Sequence, residues 1–193
     1  MRDVSFWLWL VFVVGWVALR WPAMRRARKL RTRDDRRDTL DIALLVDCVI
    51  GLAVLPIAWR LGVFQGIGDR PQGIVPLVLG VAAGVAFLWL FRRSHRDLGR
   101  NWSVSLELRE GHKLVTGGVY AHVRHPMYAS FFLWGIMQAL LIANWFAGLA
   151  GLFAVALLYV LRTGREEAMM RSAFGAEYEA YAARTRRLLP GVF

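Results

Sequence analysis

Apolar residues run along this chain in long unbroken stretches, and the charged residues gather in blocks between them. Where a run is apolar all round, its length says more than its period. A helix needs about 20 apolar residues to cross a bilayer. Five runs meet or approach that length: Val4–Trp21, Leu40–Trp59, Ile74–Phe91, Met127–Ala143 and Trp145–Leu161. The second carries Asp41 at its edge and Asp47 within it, and an acid at that depth is expected to face the bundle. The last two are slightly short and are separated only by Asn144, so they read as a tight helical hairpin. The pattern predicts an all-α, polytopic integral membrane protein of about five transmembrane helices. No repeat or flexible linker divides it. Residues 1–94 would supply three spans and residues 95–193 the rest of a single membrane domain.

The charged blocks set a direction. Residues 25–37 carry Arg25, Arg26, Arg28, Lys29, Arg31, Arg33, Arg36 and Arg37. Seven more basic residues lie between Arg92 and Arg124, and six from Arg162 onward. The connection between the second and third runs has only Arg60 and Arg70. With five spans, all three basic segments fall on one side, which the positive-inside rule makes cytoplasmic, and the N-terminus lies outside. The first run is too long and aromatic for a cleavable leader, and "RWPAMRR" follows it instead of a small-residue cleavage site.

Composition agrees. Of 193 residues, 57% are hydrophobic, above the 45–50% or so usual for a soluble domain. The net charge of +11 would suggest nucleic acid in a soluble chain. Here basic loops facing anionic lipid headgroups account for it, and no nucleic-acid partner is read. The lone Cys48, inside an apolar run, can form neither an internal disulfide nor a zinc site.

The chemistry is concentrated in two places. "YAHVRHPMYAS", residues 120–130, lies on the basic side just before the fourth run. Pro126 suits the first turn of a helix. His125 would then sit at the helix mouth, Tyr128 one turn inside on nearly the same face, and Arg124 beside them, around a helix N-terminus that favours an anionic group. Such residues also serve as interfacial anchors. The second place is "LRTGREEAMMRSAFGAEYEAYAART", which leaves the fifth run as an amphipathic helix. Arg162 and Glu166, and likewise Glu167 and Arg171, stand four apart. They are either surface ion pairs or a carboxylate facing the protein interior, where its cost marks a site. Gly175 is expected to break this helix and fold the tail back onto the "RHPMY" helix. His112 is a weaker pocket candidate, and His95 and His122 weaker still. No carboxylate is spaced to complete a metal site with His112, His122 and His125.

"GGVYAHVRHPMYAS", a hairpin, and then "REE" with "FGAEYEAYAARTRRLLP" resemble the isoprenylcysteine carboxyl methyltransferase family, which is related to the membrane phospholipid methyltransferases. "LGRNWS" and "HKLVTGG" look like its bacterial members. The resemblance is specific from about residue 95 onward. Ser130 stands where the family usually has Gly, and "GGVY" replaces "GPY". The resemblance implies S-adenosylmethionine as cofactor, S-adenosylhomocysteine as product, and a cofactor pocket in the C-terminal half on the cytoplasmic face of a bacterial inner membrane. Implied cofactor contacts are His112, Tyr120, His125, Pro126, Tyr128, Glu166, Glu167, Tyr178 and Tyr181, with Arg184 another candidate in the tail. Candidate catalytic residues are Arg124 or Arg162, to orient a carboxylate by bidentate pairing, and His125 or Glu167 as a base. The partners would be the lipid bilayer and a lipophilic acceptor, an isoprenoid among the candidates, entering from between the helices. A carboxylate acceptor is already a nucleophile, whereas an amine or thiol would need a base such as His125 or Glu167. A nicotinamide-dependent membrane reductase and a non-catalytic scaffold remain as readings of other classes.

Overall fold

All five apolar runs are helices in the computed structural model. It describes residues 1–27, 32–35, 38–63, 66–102, 107–109 and 113–189, with backbone alone for residues 26, 27, 32–35, 100 and 107–109. The five are α1 (Arg2–Ala27), α2 (Thr39–Arg60), α3 (Ile74–Leu98), α4 (Pro126–Leu141) and α5 (Trp145–Phe174). Four are long and apolar enough to cross a membrane; α4, at 16 residues, is shorter. Trp9, Phe87, Phe91, Trp134, Met137 and Leu141 form the centre of the bundle. Facing outward are Trp7, Val11, Val14, Val78, Trp89, Phe153 and Val160, all exposed. Such faces suit hydrocarbon, because each helix satisfies its own backbone and leaves only side chains to the lipid.

Successive helices alternate in direction. At one end, Arg60 pairs with Asp3 at 3.1 Å and Arg2 lies 3.6 Å from Asp69. Asp69 also accepts the Trp59 indole N–H at 2.7 Å and the Asn144 amide at 3.0 Å. Asn144 is fully buried; it caps α5 by accepting the Ala147 N–H at 3.0 Å and donates to Ile67 O at 2.7 Å. One residue therefore makes the turn and ties it to the neighbouring loop. The other end gathers the end of α1, the stretch after α3 and the C-terminal tail.

Inside the bundle, α2 widens to a π turn over Ile50–Val54. Gly51 lies against α5, where a Cβ would come within 2.8 Å of Ala150 O. Gln138 of α4, fully buried, donates to Gly51 O and Ala147 O at 2.8 Å each. The acid that α2 buries fully is Asp41, in line with Leu44 and Cys48 at helical spacing, whereas Asp47 is half-buried.

Two features complete the chain. α5 has 30 residues, roughly 45 Å at the usual rise, so it outruns a hydrocarbon core about 30 Å thick. Gly175, at φ 51°, ends it, and α6 (Ala176–Arg184) turns back toward α4 as the sequence leads one to expect. A short antiparallel pair, β1 (Thr32–Asp35) with β2 (Glu107–Arg109), is added to the helical framework between two basic segments.

Candidate active site

α4 begins at Pro126, and His125 is its N-cap. The approach is a 3-10 turn, Gly118–Ala121, seated on the end of α3. Asp97 accepts the Val119 N–H there at 3.0 Å. Gly118 holds φ 62°, and a Cβ at that position would collide with the Asp97 carboxylate. The turn needs the glycine that "GPY" also has, and Val119 in place of the proline supplies the N–H that Asp97 accepts. Ser130 is fully buried, its hydroxyl returned to Met127 O at 2.6 Å, so a small polar residue fits where the family has Gly.

The tail folds over this approach. Val123 and Arg186 form a parallel bridge, with Arg124 N–H on Arg186 O at 2.7 Å and His125 N–H on Arg187 O at 3.0 Å. The Arg124 guanidinium reaches Ala182 O at 2.9 Å and also Thr185 O. Tyr181 OH donates to Tyr120 O at 2.8 Å, and Thr185 OH to Tyr181 O at 2.7 Å. Burial raises the phenol pKa values of Tyr120 and Tyr178, and takes that of Tyr181 up to about 12, so all three are neutral hydroxyls at physiological pH.

Glu166 and Glu167 take different roles. Glu167, with 1% exposure, receives Arg124 Nε at 3.2 Å and Arg187 Nη2 at 2.9 Å, lies 3.2 Å from His125 Nε2, and has Arg171 at 3.7 Å. The bond to Glu167 raises the pKa of Arg187. Glu166 accepts the Tyr128 OH at 3.1 Å and lies 4.0 Å from His125 Nδ1. Arg162 Nε lies 3.3 Å from Asp41 of α2, both side chains buried, an ion pair that joins two helices.

A cavity of about 470 Å³ opens among these residues. Its polar end is lined by Tyr120, Arg124, His125, Glu166, Tyr178 and Tyr181, with Asn101 and Lys113 at the rim. Its apolar end runs between α1, α2, α4 and α5, along Leu52, Phe131, Trp134, Val155 and Leu158. Pro126, Tyr128 and Arg162 lie between the two ends in the same lining. Glu167 and Arg184 do not line it, Glu167 being turned into its cluster of cations and Arg184 exposed. His122 is exposed; His95 is buried and packs at a tilt between Phe91 and Trp102. His112 lies outside the described residues.

Some contributors had little signal in the sequence. Asp97 and Arg187 are ordinary charges whose partners are distant in the chain. Arg20, which also lines the cavity, was visible only as a lone charge at the end of an apolar run.

Comparison with known proteins bears on this geometry. Residues 80–172 match the model of the isoprenylcysteine carboxyl methyltransferase family. The Schizosaccharomyces pombe protein-S-isoprenylcysteine O-methyltransferase is 37% identical over 89 residues, 45% of this chain and 37% of that one. The Homo sapiens enzyme of the same name is 37% identical over 90 residues, 47% of this chain and 32% of that one. Arabidopsis thaliana protein-S-isoprenylcysteine O-methyltransferase B is 33% identical over 96 residues, 49% of each. The match thus spans less than half the length of these relatives. In fold, the chain resembles the eukaryotic intramembrane Ras methyltransferase, an isoprenylcysteine carboxyl methyltransferase, with TM-score 0.54 and 22% identity over 82% of this chain and 55% of that one. The likeness first carried by "RHPMY" and the paired glutamates therefore extends through residues 80–172, a stretch of isoprenylcysteine carboxyl methyltransferase type on a membrane-helix bundle of the same fold.

Proposed function

We propose that the chain is a membrane methyltransferase that takes its methyl group from S-adenosylmethionine and places it on the carboxylate of a lipophilic acceptor, in the manner of the protein-S-isoprenylcysteine O-methyltransferases. The observation that carries this reading is a cavity with a polar end and an apolar end, joined at the start of α4. At about 470 Å³ it is of the size that holds a ligand of this class. The residues at its polar end fit such a donor: an accessible carboxylate (Glu166), neutral phenols (Tyr178 and Tyr181) and an imidazole (His125). Bound there, S-adenosylmethionine supplies an activated methyl on a sulfonium and leaves S-adenosylhomocysteine.

The chain's own residues align and desolvate. Glu166 with the tail tyrosines would hold the donor's hydroxyls and ammonium. Arg162, whose Nε lies 3.3 Å from the buried Asp41 carboxylate, would orient the acceptor carboxylate. A carboxylate needs no general base, so alignment in a water-poor site supplies most of the acceleration. Glu167, with its oxygens met by Arg124, Arg187 and His125, is a positioning residue rather than a base. Residues 95–193 act as the catalytic half on a frame of three helices. The basic end faces the cytoplasm and the N-terminus lies outside, in a bacterial inner membrane.

The test is the bond that forms. Purified protein is given methyl-labelled S-adenosylmethionine and, in separate reactions, N-acetyl-S-farnesylcysteine, farnesylamine and farnesyl thiol. An ester predicts label released as methanol by mild alkali. Label that resists alkali would move the acceptor to an amine or thiol, and no transfer to any of the three would contradict the reading.

A further inference from the structure

Among the described residues, three arginines line the cavity: Arg20, Arg124 and Arg162. Arg124 is met by Glu167 at 3.2 Å, and Arg162 by Asp41 at 3.3 Å. Arg20 faces no carboxylate among the described residues. It is held instead by two indoles, its guanidinium carbon 5.2 Å from the Trp16 ring centre and 5.3 Å from that of Trp102. Both rings are themselves fixed. Trp16 packs edge-on against Trp134 at 4.8 Å, and Trp102, 5% exposed, lies 4.8 Å from the buried His95 ring.

An arginine that a membrane helix turns toward the interior is expensive and marks a site. Stacking on aromatic faces orients a guanidinium without neutralising it, so its charge and its in-plane donors stay available. The place matters as well. Trp16 and Trp134 belong to the apolar end of the cavity, whereas Trp102 and Asn101 belong to its rim. Arg20 thus stands where the head of an amphiphile would lie if its tail ran along Phe131 and Trp134.

We propose that Arg20 is a second anion receptor of the acceptor chamber, selecting the carboxylate or phosphate of an anionic lipophilic acceptor that Arg162 then orients for transfer. This rests on the methyltransferase reading and deepens it: acceptors with a negative head group are selected over neutral lipids of the same chain. Arg20 belongs to α1, outside residues 80–172, so the selection is made by a part of the chain that the family likeness does not cover.

The experiment compares two probes that differ only in charge, N-acetyl-S-farnesylcysteine and its carboxamide, by equilibrium binding to purified protein in a neutral detergent. S-adenosylhomocysteine binding is measured beside them as the gauge of a folded pocket. Wild type should prefer the carboxylate by about tenfold, the worth of one charge-assisted contact. In Arg20→Gln that preference should shrink to within about twofold, and in Arg20→Lys it should be partly kept, with S-adenosylhomocysteine affinity unchanged in both. A preference intact in Arg20→Gln would overturn the proposal. So would a loss confined to S-adenosylhomocysteine affinity, which would assign Arg20 to the donor's carboxylate. Absence of any carboxylate preference in a wild type that binds S-adenosylhomocysteine would overturn it too, while leaving the methyltransferase reading standing. Failure to bind S-adenosylhomocysteine would instead sink that underlying reading, and this proposal with it.

Discussion

Neighbouring residues on a helix point about 100° apart, and that rotation separates Glu166 from Glu167. Glu166 lines the cavity; Glu167 is locked among Arg124, Arg187 and His125. Glu166→Gln should weaken S-adenosylhomocysteine binding by tenfold or more in calorimetry while leaving the thermal midpoint of the unliganded protein near wild type. Glu167→Gln should do the reverse first, costing roughly 3 kcal/mol of stability because it removes a buried carboxylate that the largely buried Arg124 and the half-exposed Arg187 both meet. The Asp41–Arg162 pair behaves alike. Asp41→Asn should lower the thermal midpoint steeply, and the double change Asp41→Leu with Arg162→Met should restore stability while abolishing transfer, since an apolar pair can replace a buried ion pair but cannot orient a carboxylate. The sequence shows Arg162 four residues before Glu166, and the local pairing is the natural reading. Asp41, with which Arg162 forms an ion pair, is 121 residues away, on another helix, and no spacing rule reaches that far.

At the scale of elements, the turn into α4 and the loop at the opposite end are the sensitive joints. Gly118→Ala adds a Cβ where Asp97 already sits and where φ is 62°. The turn carrying Tyr120 should be displaced, and donor affinity should fall further than the thermal midpoint does; equal loss of both would contradict a local effect. At the other end, the Asn144 amide and then the Trp59 indole hold the Asp69 carboxylate below the usual carboxylate range. Stability from this network is present above the unfolded-state pKa and is lost as pH falls through the depressed folded value. Thermal scans from pH 6 down to pH 2.5 or so should show a loss of midpoint that Asp69→Asn flattens. Runs of apolar residues, Pro126, Asn144 and Gly175 mark these elements plainly in the sequence. The π turn in α2 and the β1–β2 pair leave no such trace, because they depend on Gln138 reaching Gly51 and on two distant basic segments meeting.

For the whole molecule, the alternation of helices is what brings the two motifs together. α5 runs back from Asn144 alongside α4, so its "REE" stretch returns to the level of "RHPMY", and the glycine-broken tail closes over both. The bundle and this closure were legible because bilayer length and glycine geometry act locally. What stayed hidden was the lining of the cavity from α1 and α2, including Arg20 and Leu52, since a helix apolar all round does not announce which face it turns inward. The central claim is a donor pocket at the membrane surface. The most direct measurement is calorimetric titration of S-adenosylhomocysteine into the purified protein in detergent, beside Glu166→Gln. The account predicts saturable, one-to-one binding in wild type and binding weakened by tenfold or more in the folded variant; a folded wild type that takes up no S-adenosylhomocysteine would contradict it.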